Sequence, residues 1–152
     1  MKKKSVSMVI FISLTLLLVL PIANTFADNP NLKILYVNYC DYDNDGKDDD
    51  VYAEVQLKLW KGTNYLVFEV TLLFDGEIIY SMYRDNHVIT EKKIIYKIHF
   101  INVAYDSGWY DFQVWYEITN GDNFVYLYED VLFDPPGGDP DVPPGGGFDP
   151  GP

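Results

Sequence analysis

Apolar residues at every second position limit this chain more than any other feature. Val51, Ala53, Val55, Leu57 and Leu59 alternate with Tyr52, Glu54, Gln56, Lys58 and Trp60. A period of two puts one set on each face of a β-strand, so such a run is half-buried. Comparable runs occupy Leu32–Cys40, Val51–Lys61, Tyr65–Phe74, Glu77–Tyr83, Lys92–Val103, Trp109–Thr119 and Phe124–Phe133. The third turns Leu66, Phe68, Val70, Leu72 and Phe74 to one side. The fifth does so with Ile94, Tyr96, Ile98 and Phe100, and the sixth with Tyr110, Phe112, Val114, Tyr116 and Ile118. Asp75-Gly76 and Asn120-Gly121 are two-residue hairpin signals. Arg84–Thr90 reads as a polar loop. The segment after residue 27 contains no amphipathic helix of three turns. Seven short strands with turns between them predict an all-β fold, a single seven-stranded antiparallel β-sandwich.

Between the first two runs lies Asp41-Tyr42-Asp43-Asn44-Asp45-Gly46-Lys47-Asp48-Asp49-Asp50. Carboxylates at alternate positions of a curled loop converge on one point, and calcium takes six to eight oxygen ligands. Gly46 allows a sharp turn where a Cβ would clash. The predicted ligands are Asp41, Asp43, Asp45, the carbonyl of Lys47, and Asp49. An uncompensated loop of this kind would repel itself, which ordinary turn propensity does not require. The order resembles the first nine positions of the EF-hand calcium loop. The twelfth position is Tyr52, which cannot supply the bidentate carboxylate; Asp50 or Glu54 would have to replace it. The flanks are strands, so the stretch is more similar to the DxDxDG loops of dockerin, thrombospondin type 3 and integrin-type propeller repeats. That resemblance implies the loop's calcium chemistry for Asp41, Asp43, Asp45, Lys47 and Asp49, and the missing bidentate carboxylate implies weak affinity, as in extracellular modules.

Asp106-Ser107-Gly108-Trp109-Tyr110-Asp111-Phe112 resembles the D-x-G-x-Y-x-C segment of immunoglobulin-like domains. There the tyrosine hydroxyl bonds the backbone a few residues upstream. Tyr110 takes that place, and Phe112 replaces the cysteine. The resemblance refines the fold to an immunoglobulin-like or fibronectin type III-like sandwich over residues 28–134, and it excludes antibody-type domains.

The ends differ from this middle. Met1–Ala27 has the form of a secretory signal: Lys2–Lys4, the apolar Val9–Leu20, Pro21, and a cleavage site after Thr25-Phe26-Ala27. The apolar run is short of the ~20 residues a membrane span needs. Residues 135–152 are rich in Pro, Gly and Asp and predict a disordered tail. Net charge is −12, and cleavage would lower it to −15. Nucleic acid is therefore excluded as a partner. Cys40 is the only cysteine, so no internal disulfide forms and a small secreted domain needs another fastening. Cys40 itself reads as a small buried apolar residue.

Trp109 and Trp115, with Tyr126 and Tyr128 after the Asn120-Gly121 turn, predict an outward aromatic face. No pattern of catalytic residues stands out, so the chain reads as a non-catalytic, secreted calcium-binding module for binding or surface structure. Its partner would be a protein or glycan at the cell surface. The alternatives are a carbohydrate-binding module or small carbohydrate-active protein using that face, and a self-assembling surface subunit whose strand edges pair.

Overall fold

The structure, a computed structural model, describes residues 29–134 and 145–150. The predicted signal segment, residues 135–144 of the tail and residues 151–152 lie outside the described residues. Eight strands follow in order: β1 (Asn31–Cys40), β2 (Asp50–Lys58), β3 (Asn64–Phe74), β4 (Glu77–Ile89), β5 (Lys93–Ile101), β6 (Tyr110–Asn120), β7 (Asn123–Phe133) and β8 (Gly145–Pro150). They form two antiparallel sheets, in the orders β1-β2-β5-β8 and β4-β3-β6-β7. Among the described residues there is no helix.

The alternating residues do what their period requires. Val51, Ala53, Val55 and Leu57 of β2 and Tyr96, Ile98 and Phe100 of β5 are buried against Leu66, Phe68, Val70 and Leu72 of β3 and the inward row of β6. Rings from both sheets interlock across this core. Phe68 lies 5.4 Å from Tyr96 and 5.1 Å from Tyr116, and Phe100 lies 6.0 Å from Phe112. The protein is thus an all-β sandwich. Asp75 and Gly76 both have positive φ, as a primed hairpin turn needs. In the second hairpin Asn120 pairs with Asn123, so Gly121 and Asp122 form the turn.

Tyr110 is only 1% exposed. Its hydroxyl donates to the Asp106 carbonyl at 3.0 Å and accepts from the Asp106 N–H at 3.1 Å. Burial raises its pKa, and the backbone bond opposes that rise. One hydroxyl therefore satisfies both polar groups of one peptide residue in the bend before β6.

Two expectations need correction. The polar stretch 84–90 is not a loop, because β4 runs on to Ile89. Register shifts between Leu66 and Phe68 let this polar edge strand stay paired. Secondly, part of the tail predicted to be disordered is β8, which pairs with β5 from Tyr96↔Pro150 to Ile101↔Gly145. Its glycines permit close approach rather than free motion. A Cβ on Gly146 would stand 2.7 Å from the His99 carbonyl oxygen, and one on Gly147 would stand 2.8 Å from His99 Nε2. Phe148 then packs edge-on to Phe68, 4.7 Å between centroids.

Candidate metal centre

The β1–β2 connection, residues 41–49, curls through two short side-chain turns. Asp43 Oδ1 accepts the Asp45 N–H at 3.1 Å, and Asp45 Oδ1 accepts the Lys47 N–H at 2.9 Å. Asp41 Oδ2 reaches across to the Gly46 N–H at 3.0 Å. Asn44 (φ 64°) and Gly46 (φ 90°) take the left-handed conformation that Asn and Gly tolerate. Alternate aspartates thus wrap the loop around its own interior.

Asp50 anchors this loop to the rest of the fold. It is fully buried. Its Oδ2 accepts the N–H groups of Tyr42 (2.6 Å) and Asp43 (3.0 Å), and its Oδ1 accepts that of Asn102 (2.7 Å). The neighbouring peptide adds to the join, since the Asp49 carbonyl accepts the N–H groups of Val103 and Ala104 at 2.9 and 2.8 Å. One carboxylate and one carbonyl therefore tie the loop to the β5–β6 connection.

Carboxylate oxygens from Asp41, Asp43 and Asp50 lie within 4.8 Å of one another. Two oxygens bound to one calcium at about 2.4 Å can be no further apart than about 4.8 Å. This cluster of three aspartates has the spacing to hold a metal ion. Among the described residues Lys47 Nζ lies 3.7 Å from Asp45 Oδ2. Asp41 Oδ1 is buried with no hydrogen-bond partner.

The predicted residues divide accordingly. Asp41 and Asp43 converge, joined by Asp50, which the sequence offered only as a substitute. Asp45 turns to Lys47, whose N–H and Nζ both face it. Asp49 is buried, and its carbonyl holds the β5–β6 connection. Glu54 accepts the Tyr52 hydroxyl at 2.8 Å and does not join the cluster.

Sequence reasoning missed Asn102. It is 4% exposed, has φ 54°, and points its amide Nδ2 at Asp43 Oδ2, 3.4 Å away. Its Oδ1 is buried without a partner. A half-turn of the amide would exchange the two atoms. An asparagine at the end of an apolar strand, 52 residues from Asp50, carries no local signal of this role.

Cys40 is half-buried rather than buried. Burial pushes its thiol pKa up to about 11, and the charges of Asp50, Asp48 and Asp41 act in the same direction. It is a protonated, unreactive thiol at neutral pH.

Of the predicted aromatic face, Trp115 and Tyr128 are direct cross-strand partners, and Tyr126 stands beside them opposite Glu117. Trp109 precedes β6 and is 64% exposed. Six residues of extended chain put it about 20 Å from Trp115, so the two tryptophans do not stand side by side. No protein-family model matches the chain, and comparison with curated proteins finds no significant match.

Proposed function

We propose that this protein is a secreted, calcium-stabilised, immunoglobulin-like β-sandwich that serves as a non-catalytic binding module. The observation that carries the calcium reading is the convergence of three carboxylates, beside the orphaned oxygens of Asp41 and Asn102. All are hard oxygen donors, the class calcium selects. Asp41, Asp43 and Asp50 would hold the ion, with Asn102 Oδ1 available after rotation. The ion would offset their mutual repulsion and fasten the loop to the β5–β6 connection, the task a disulfide performs in other small secreted domains.

Two features support the immunoglobulin-like reading. The sheet orders correspond to strands A-B-E and C′-C-F-G of that architecture, with β8 added beside E. The hydroxyl of Tyr110 meets the Asp106 backbone as a tyrosine corner does.

Thermal unfolding in calcium, magnesium and chelator tests the metal. Calcium at ten times its dissociation constant stabilises by about 1.4 kcal/mol, or roughly 4–8 °C for a domain this size. Magnesium should do less, because it demands octahedral geometry and gives up water reluctantly. Asp41→Ala and Asp43→Ala should abolish the response, while Asp48→Ala should keep it. Identical midpoints in all three solutions would remove the metal from this account.

A further inference from the structure

The outer face of the β4-β3-β6-β7 sheet has an unusual charge pattern. Strand register places Tyr83, Glu69, Trp115 and Tyr128 in one row across it, with Val67, Glu117 and Tyr126 in the next. Glu69, Asp111, Glu117 and Asp130 all stand on this face, and the register puts no lysine or arginine there. Arg84 has the opposite parity, facing Phe68. The outer face of the other sheet carries exposed Lys33, Lys58, Lys93 and Lys97. That face also carries Glu54, opposite Lys97, so it mixes charges where the first face is acidic alone.

Within the acidic face, Val67, Glu69, Tyr83, Trp115, Glu117 and Tyr126 line a groove of about 160 Å³. Each glutamate has one neutral partner: Ser81 Oγ donates to Glu69 Oε1 at 2.9 Å, and the Tyr126 hydroxyl donates to Glu117. That hydrogen bond raises the pKa of Tyr126. Cross-strand pairing explains the contact between Trp115 and Tyr128. It does not explain carboxylates left among exposed rings without a cation.

The rings also define what fits. Trp115 and Tyr128 are tilted by 45° at 4.2 Å, and Phe124 and Tyr126 by 83° at 5.1 Å. They do not make the flat strip on which a sugar chain stacks. The groove is also smaller than the ~300–1,000 Å³ usual for small-molecule sites. A single long cationic side chain suits it: an apolar stem for the ring edges, a charge for the carboxylates, and an aromatic face for cation–π contact.

We propose that this groove takes a lysine or arginine side chain from a basic segment of a partner polypeptide, its charge held by Glu69 and Glu117 against Trp115. The inference deepens the binding-module reading and does not depend on calcium.

Hexa-arginine and hexa-lysine peptides are the probes, followed by calorimetry and tryptophan fluorescence, in calcium and in chelator. The expected result is binding that weakens with salt, quenches fluorescence, and persists in chelator. A failed calcium response with intact peptide binding would sink the metal alone. Trp115→Ala should weaken binding by about 3- to 30-fold. The double variant E69Q/E117Q should weaken it by at least about 10-fold. Asp122→Asn, in the exposed β6–β7 turn, is the control for diffuse attraction and should have little effect. Three results overturn the proposal. One is W115A and E69Q/E117Q binding like the wild type, or D122N weakening binding as much as E69Q/E117Q. Another is a neutral cello-oligosaccharide quenching Trp115 while neither peptide binds. The last is self-association abolished by K58E/K97E, which would make the cation this chain's own.

Discussion

Replacing Asp50 by Asn in the absence of metal isolates what the buried carboxylate does for the fold. The substitution keeps the shape and removes the charge. One side-chain oxygen can still accept from Tyr42 and Asp43, but the new amide N–H₂ faces the Asn102 N–H across 2.7 Å. Donor then meets donor. A hydrogen bond to a charged group is worth about 1.5–3 kcal/mol, and a buried N–H left unpaired costs about 1–3 kcal/mol. Those figures overlap, so the loss is about 2–5 kcal/mol. Repulsion relieved from Asp41 and Asp43, both partly in water, returns about 1 kcal/mol. The net destabilisation is about 1–4 kcal/mol, against a total of about 5–15 kcal/mol for a typical domain. Asp43→Asn should behave oppositely. Asp43 is exposed and accepts only the Asp45 N–H and the long contact from Asn102. Losing its charge should leave stability unchanged or slightly raised in chelator. Urea unfolding of wild type and both variants, with chelator present, reads the two shifts. An Asp50→Asn midpoint at or above wild type would refute the reasoning, since crowding of like charges would then outweigh the three N–H bonds.

Tyr110→Phe strips both Asp106 backbone groups of their partner and should cost about 1–3 kcal/mol by urea unfolding; an unchanged midpoint would reduce Tyr110 to a core ring. Phe148→Ala should cost about 1.5–2.5 kcal/mol, half the value for a fully buried ring, and deleting residues 135–152 should lower the unfolding temperature by several degrees; a truncated chain as stable as the full one would show that β8 does not hold the sheet. His87 has its pKa lowered, first by burial and then by Arg84. Its folded value lies below the unfolded 6.5, so the unfolded chain takes up the proton first and stability falls as pH drops below about 6.5. His87→Gln should flatten that slope, and an unaltered pH profile would exclude His87 as its source.

The parts of this fold legible in the sequence are those written in short-range pattern. Alternation located seven strands, and Asp75-Gly76 located a turn whose positive φ values are now visible. Tyr110 was found through a seven-residue motif and bonds where that motif requires. Strand β8 was hidden because Gly146 and Gly147 read as flexible linker, while their use is to let two backbones meet beside His99. The end of β4 was hidden because an exposed edge strand needs no apolar alternation. Linear spacing offered Asp50 only as a substitute ligand and never pointed to Asn102, which reaches Asp50 through a hydrogen bond spanning 52 residues. Spacing within a loop cannot register a partner on another strand.

The pairing of β8 with β5 also orders events in time. A chain made at about 5–20 residues per second needs roughly 2–9 s to proceed from Ile101 to Gly145. Throughout that interval one edge of β5 offers unpaired N–H and C=O groups to any neighbouring strand. Lys93 and Lys97 project from that same strand. Charged side chains along an open edge discourage pairing between nascent copies. Of the two, Lys97 lies within the stretch Tyr96–Ile101 that the glycine-rich strand later covers, so its charge bears on that seam before the chain is complete.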